Sequence, residues 1–312
     1  MRALAAFALL ALLPAATARA RTLAQLDTPG YAQSVAVAGS RAYVADGDAG
    51  LAIVDVSKPE APSLLGRLEL PGFAWDVAVS GTHAYVAAGS QGLRVVDVSD
   101  PRRPREVAAF AIPNFALAVA VDADVVYVAS RLAGVEVVDA SDPAHPRRLG
   151  VLDTPGAALG IAVAGPLAFV ADGDRGLRIA DVSDPSAPRS LGGLDTPGGA
   201  FDVAVVDALA FVADERSGTR VIDVSDPAAP REVGAYDSRE AVHGIAARGD
   251  RVFTAVPGAG VRVLDVSDPK QPQPSAELET PGEAWHLALA HGLVYVADGS
   301  AGLVILDPSA AD

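Results

Sequence analysis

The sequence has no cysteine and a single methionine. Without cysteine there is no disulfide framework, no thiolate metal site and no thiol for lipid attachment. Catalytic signatures are missing as well: no Walker loop, no nucleophile-elbow sequence, no HExxH zinc pair and no dinucleotide fingerprint. Positive charge is scarce, with 24 Lys+Arg against 39 Asp+Glu and a pI near 4.6. Such a chain repels nucleic acid and anionic lipid. The basic side chains are almost all arginine and dispersed singly; the densest cluster, "PRRPR" at 101–105, reads as a solvated loop rather than an anion site. After residue 20 no segment offers an uninterrupted helix of three turns, and none resembles a membrane span.

The one long apolar run is at the start. "MRALAAFALLALLPAATARA" has a basic residue at Arg2, an apolar stretch from Ala3 to Leu13, and small residues at Ala18 and Ala20. This is the make-up of a secretory signal peptide cleaved after Ala20. A membrane anchor is the competing reading, but the run is shorter than the ~20 residues a spanning helix needs, and Pro14 interrupts it. Removing residues 1–20 removes Arg2 and Arg19 and no acid, which moves the formal charge from −15 to −17.

What the chain has in abundance is repetition. "GLRVVDVSDP" at 92 returns as "GLRIADVSDP" at 176, "GTRVIDVSDP" at 218 and "GVRVLDVSDP" at 260. The aspartate ending each apolar run falls at Asp55, Asp97, Asp139, Asp181, Asp223, Asp265 and Asp307, always 42 residues apart. Gly50, Gly92, Gly134, Gly176, Gly218, Gly260 and Gly302 keep the same period, as do Tyr43, Tyr85, Tyr127, Phe169, Phe211, Phe253 and Tyr295.

A period near 40 leaves helical solenoids and β-propellers, and local pattern decides. Within 75–110 the runs "WDVAVS", "HAYVAA", "LRVVDVS" and "REVAAF" are short, rich in Val and aromatics, and bounded by Gly, Ser, Asp or Pro. Four strands per unit and seven units predict an all-β, seven-bladed propeller of four-stranded blades. Burial of both blade faces explains why strands such as "RVVDV" are mostly apolar. The repeated aromatics are expected to fill the wedge between blades and the repeated aspartates to cap turns. The seventh unit ends without a fourth strand. "RTLAQLDTPG" at 21–30 matches "RRLGVLDTPG" at 147 and "RSLGGLDTPG" at 189, so it is expected to close the ring by completing the last blade. One domain, 21–312, follows the leader.

"LVILD" at 303–307, "LRVVD" at 93–97 and "LAIVD" at 51–55 resemble the LVIVD-repeat family of secreted or surface proteins. The resemblance covers the whole mature chain. It implies a β-propeller and an extracytoplasmic setting, and carries no catalytic motif. Ala180 and Thr219 within strands, and Lys58 where five other units have aspartate, depart from the repeat.

Shared positions maintain a repeat stack, so function is sought where the units differ. The most divergent register opens the innermost strand. One position reads Gln33, Trp75, Leu117, Leu159, Phe201, His243, Trp285, and the next reads Ser34, Asp76, Ala118, Gly160, Asp202, Gly244, His286. The candidate ligand-binding set is Trp75, Asp76, Phe201, Asp202, His243, Trp285 and His286, gathered at one end of the central channel. The alternative is that these side chains simply fill a narrow channel mouth. Asp76, Asp202, His243 and His286 are metal-ligand types, but none stands at a known local metal spacing, and neither metal nor cofactor is expected. A second acidic set, Asp46 with Asp48, Asp172 with Asp174, Asp214 and Asp298, lies in loops at the same end. Turn chemistry is the expectation there, with calcium binding the alternative. His83, His145 and His291 are expected in solvated loops at the opposite end.

Three function classes follow. The leading one is a binding or interaction scaffold for an extracytoplasmic protein, peptide or glycan, secreted, periplasmic or at the cell surface. A channel-mouth hydrolase or lyase and a structural envelope component are the alternatives.

Overall fold

The computed structural model describes residues 21–311, and the leader assigned to residues 1–20 lies outside them. Seven four-stranded antiparallel sheets form a seven-bladed β-propeller. Blade one runs Ser34–Ala38, Arg41–Ala45, Leu51–Asp55 and Ser63–Leu68 in spatial order from inside to outside. Blades two to six repeat that order.

Blade seven is a composite. His286–Ala290, Leu293–Ala297 and Leu303–Asp307 are joined by Arg21–Leu26 as the outermost strand. The pairing runs from Arg21 against Asp307 to Leu26 against Leu303, with the register shift between the third and fourth strands that the other blades also carry. The predicted closure is therefore present. Without it the Leu303–Asp307 strand would present an unpaired edge.

The core lies between the blades. Tyr43, Ala45, Leu51 and Ile53 of blade one pack against Ala74, Val77, Ala84, Val86 and Val96 of blade two. Each junction around the ring repeats this arrangement. The seven periodic aromatics are at most 3% exposed, which settles them as packing.

The periodic glycines serve close approach. Gly50 has φ +81°, and a Cβ there would stand 2.3 Å from the Leu68 carbonyl oxygen. The periodic aspartates cap the outer turns: Ser57 N donates to Asp55 Oδ1 at 2.9 Å, and the other six units repeat the bond. In three units an arginine eight residues on adds an ion pair, Arg105–Asp97, Arg147–Asp139 and Arg231–Asp223. His145 and His291 are exposed as expected, whereas His83 opens a strand and is half-buried, because it pairs with Ser80 at the hairpin's base. A short 3-10 helix, Pro308–Ala311, follows the last strand.

Candidate functional site: the channel mouth

Each blade's lead-in to its inner strand is pinned on both sides by backbone. The residue before the divergent position is buried, from Ala32, Ala74 and Ala116 round to Ala284. Lone antiparallel bridges such as Gly47 with Ala74 and Gly89 with Ala116 hold the lead-in against the preceding blade's loop. The divergent residue donates its own N–H to the second strand: Trp75 N to Ala87 O at 2.8 Å, Phe201 N to Ala213 O at 2.8 Å, Trp285 N to Ala297 O at 2.9 Å. Backbone contacts thus fix where these residues stand and leave their side chains free to vary without disturbing the ring.

The seven side chains of that register converge. Gln33, Trp75, Leu117, Leu159, Phe201, His243 and Trp285 line one recess of about 160 Å³ at the mouth. Beneath it, an axial cavity of about 420 Å³ is walled by Ser34, Asp76, Asp202 and His286 among the apolar residues of the inner strands. All seven candidate residues therefore meet at one place.

Their contacts differ by layer. At the mouth, the His243 ring stacks on Phe201 with centroids 4.8 Å apart and 13° between planes, and meets Trp285 edge-on at 4.8 Å. Burial pushes the His243 imidazole below its usual pKa, so the neutral ring is favoured. The Trp75 indole N–H has no hydrogen-bond partner among the described residues.

In the lower layer the carboxylates bridge blades. Asp76 accepts from Val77 N at 2.8 Å and, across the blade boundary, from Val119 N at 2.8 Å. Asp202 does the same with Val203 N at 2.8 Å and Ile245 N at 2.9 Å. Ser34 donates its hydroxyl to Asp76, and the same oxygen lies 3.2 Å from His286 Nδ1, so four blades are linked through side chains facing the axis. Burial is the main influence on Asp202 and raises its pKa; His286 opposes that shift and Asp76 adds to it.

An outer arc of aromatics escaped the sequence reading. Two residues before the mouth position stand Tyr31, Phe73 and Phe115, then Ala157, Gly199, Ala241 and Glu283. Phe73 packs on Trp75 at 4.7 Å and Phe115 meets it at 5.9 Å. Trp285 donates Nε1–H to Tyr31 Oη at 2.9 Å, and Tyr31 donates in turn to Glu283. A glycine of the preceding blade's loop makes room for each: a Cβ on Gly47 would touch Phe73, on Gly89 Phe115, and on Gly299 Tyr31, all at 3.0 Å or less. The 42-residue comb was the available signal, since these aromatics keep the period on three successive units and then lose it.

Where the arc gives way to Ala157 and Gly199, the face opens into a lateral groove of about 650 Å³, which reaches the mouth at Leu159 and Phe201. Arg131 and Glu215 line it with φ of +46° each, at the position where neighbouring units have Gly47, Gly89 and Gly173. Leu132 beside them is 72% exposed.

Four members of the second acidic set are structural, whereas Asp48 and Asp174 are exposed. Asp46 accepts from Thr28 Oγ1 at 2.6 Å and Gly30 N at 2.8 Å, and Asp298 from Thr280 Oγ1 at 2.6 Å and Gly282 N at 2.7 Å. Asp214 makes the same pair of bonds with Thr196 and Gly198, and Asp172 accepts from Gly156 N. All four carboxylates are fully buried, locking the lead-in loops onto the blades. Among the described residues no three His, Asp or Glu side chains group closely enough to hold a metal ion.

Comparison with known proteins places the fold. The structure is similar to that of U3-55K, with 12% identity, TM-score 0.78, and 93% of this chain and 98% of that one covered. It is also similar to the WD40 repeats of RRP9, with 12% identity, TM-score 0.76, and coverage of 93% and 97%. The WD40 β-propeller domain of Doa1 gives 12%, 0.73, and 92% and 96%. At these identities the likeness is one of fold alone. No curated protein matches the sequence significantly. The LVIVD repeat matches seven times, over residues 29–69, 71–111, 116–154, 155–196, 197–238, 241–280 and 281–311. The chain accordingly belongs to the LVIVD-repeat family, with its seven repeats closed into one propeller ring.

Proposed function

We propose that this protein is an extracytoplasmic binding propeller whose ligand, a peptide, protein or glycan, seats in the channel mouth. One observation carries the reading: the register at which the seven units disagree most is the register whose side chains line the axial recess. A fold-maintaining position would repeat, as Tyr43 and Gly50 do around the ring. Half-exposed aromatics over a concave site match the residue types that dominate binding energy at interfaces. The setting rests on the leader composition of residues 1–20 and on the secreted or surface character of the family.

The test compares two classes of variant. Trp75→Ala and Trp285→Ala should abolish binding of a ligand found by screening peptides and glycans, at a cost to stability of about 1–2 kcal/mol from lost ring contacts. Tyr85→Ala should cost about 3–5 kcal/mol, as large core truncations do. If both tryptophan variants keep full affinity, the ligand lies elsewhere.

A further inference from the structure

We infer that the axial site takes an organic cation on an apolar stem, the chemistry of a lysine or arginine side chain presented by an extended polypeptide. The inference rests on the mouth being the binding site and names what it binds.

The argument follows the axis inward. The collar is mostly apolar and aromatic: Leu117, Leu159, Trp75, Phe201 and Trp285, with Gln33 and His243 completing the ring, face a recess sized for a narrow stem rather than a broad ring system. Directly below, the lining turns acidic. Among the seven residues of that layer, Asp76 and Asp202 carry carboxylates, His286 is the one basic group, and Ser34, Ala118, Gly160 and Gly244 carry no charge. Each carboxylate oxygen accepts a backbone N–H, which holds it in place; the Ser34 hydroxyl fills the second acceptor site of Asp76 Oδ1, while Asp76 Oδ2 and both Asp202 oxygens each keep a second site. Fixed acceptors at the end of an apolar collar are complementary to an ammonium or guanidinium group and repel an anion. Aromatic faces in the collar add attraction for the same charge sign. The whole chain reinforces the choice, since its net charge of −15 favours a cationic partner over an anionic one.

The source of the cation is addressed by the lateral groove. It joins the mouth at Leu159 and Phe201 and offers the exposed Leu132 with charges of both signs at Arg131, Arg175, Asp174 and Glu215. A free amine would leave this groove empty, whereas a peptide carrying the basic side chain would lie along it.

The experiment uses the protein from residue 21 onward and its own two tryptophans, both at the mouth, as reporters. The probes are pentylamine, an acetylated and amidated Ala-Lys-Ala peptide, and the same peptide with norleucine or glutamate replacing lysine. The lysine peptide should change tryptophan emission with an affinity about tenfold or more above the norleucine peptide, and the glutamate peptide should not bind. Asp76→Asn and Asp202→Asn should each narrow that preference. Comparison of the probes on the unaltered protein decides the matter even where a variant fails to fold. Leu132→Ala should weaken the lysine peptide and leave pentylamine unchanged; pentylamine binding as tightly as the peptide would overturn the polypeptide source. Equal affinity for lysine and norleucine, preference for glutamate, or no response to the lysine peptide overturns the cationic class. Binding of a neutral glycan at the tryptophans, with no response to lysine, would refute this inference and leave the mouth as the binding site.

Discussion

Asp46 and Thr28 offer the sharpest test of how the face is built. Their bond, and the Gly30 N–H bond to the same carboxylate, are buried, with Asp46 fully enclosed and Thr28 5% exposed. One period later the corresponding residues are Leu70 and Ala88, at 6% and 0% exposure. The chain thus contains two solutions to one packing problem, a polar pair and an apolar pair. Asp46→Ala leaves a hydroxyl and an N–H without acceptors, at ~1–3 kcal/mol each, partly offset by release of a buried carboxylate. A net loss of about 2–4 kcal/mol is expected. Thr28→Leu with Asp46→Ala copies blade two and should recover the hydroxyl's share, about half of the loss, because replacing both partners of that bond by apolar groups is nearly neutral, while the Gly30 N–H lacks its carboxylate in both variants. At about 2–3 °C per kcal/mol for a chain of this size, the single variant should melt roughly 4–12 °C lower. Scanning calorimetry of the parent, both single variants and the double variant completes the cycle. A double variant no more stable than Asp46→Ala would refute the claim that the pair acts as a unit.

Removing residues 21–26 exposes the Leu303–Asp307 edge and uncovers packing by Leu23 and Leu26. The deleted form should melt far below the parent and associate with rising concentration in sedimentation experiments; an unchanged, monomeric protein would contradict closure. Gly218→Ala should destabilise by several kcal/mol, since φ is +82° and the new Cβ would stand 2.1 Å from the Tyr236 carbonyl oxygen; urea titration reads the loss. In acid, Asp97, Asp139 and Asp223 matter most. Serine donors foremost, with arginine, hold these carboxyls below the usual range, Asp139 at about 2. Depressed folded-state values stabilise above the unfolded value, so that stability should fall between about pH 4 and 2 as protons bind. Asp46, Asp172 and Asp298 are raised by burial and do not drive that loss. Replacing Asp97, Asp139 and Asp223 by Asn should flatten the acid limb of a melting-temperature profile.

Most of the architecture could be read directly because each element repeats in sequence what it repeats in space. The comb of Tyr43, Gly50 and Asp55 located the interblade wedge, the turn into the third strand and the outer turn cap, and the kinship of residues 21–30 with 147–156 located the closing strand. The mouth was legible for the converse reason, as the register where repetition fails. What stayed hidden are contacts between units. Asp76 reaches Val119 and Asp202 reaches Ile245 across a blade boundary set by ring geometry, and no local pattern announces a partner 43 residues away. The Thr28–Asp46 lock is invisible for the same reason: an acidic "DGD" loop read alone points to turn chemistry and does not name the threonine that closes it. The arc of Tyr31, Phe73 and Phe115 kept the period on only three units, each supported by a glycine one blade back.

The central claim is that ligand recognition occurs at the channel mouth, and the emission of Trp75 and Trp285 tests it most directly. The protein has no other tryptophan. A ligand whose binding is established by calorimetry should shift their emission and shield them from acrylamide quenching, with the same affinity by both methods. A ligand that binds by calorimetry while emission and quenching stay unchanged would contradict the account.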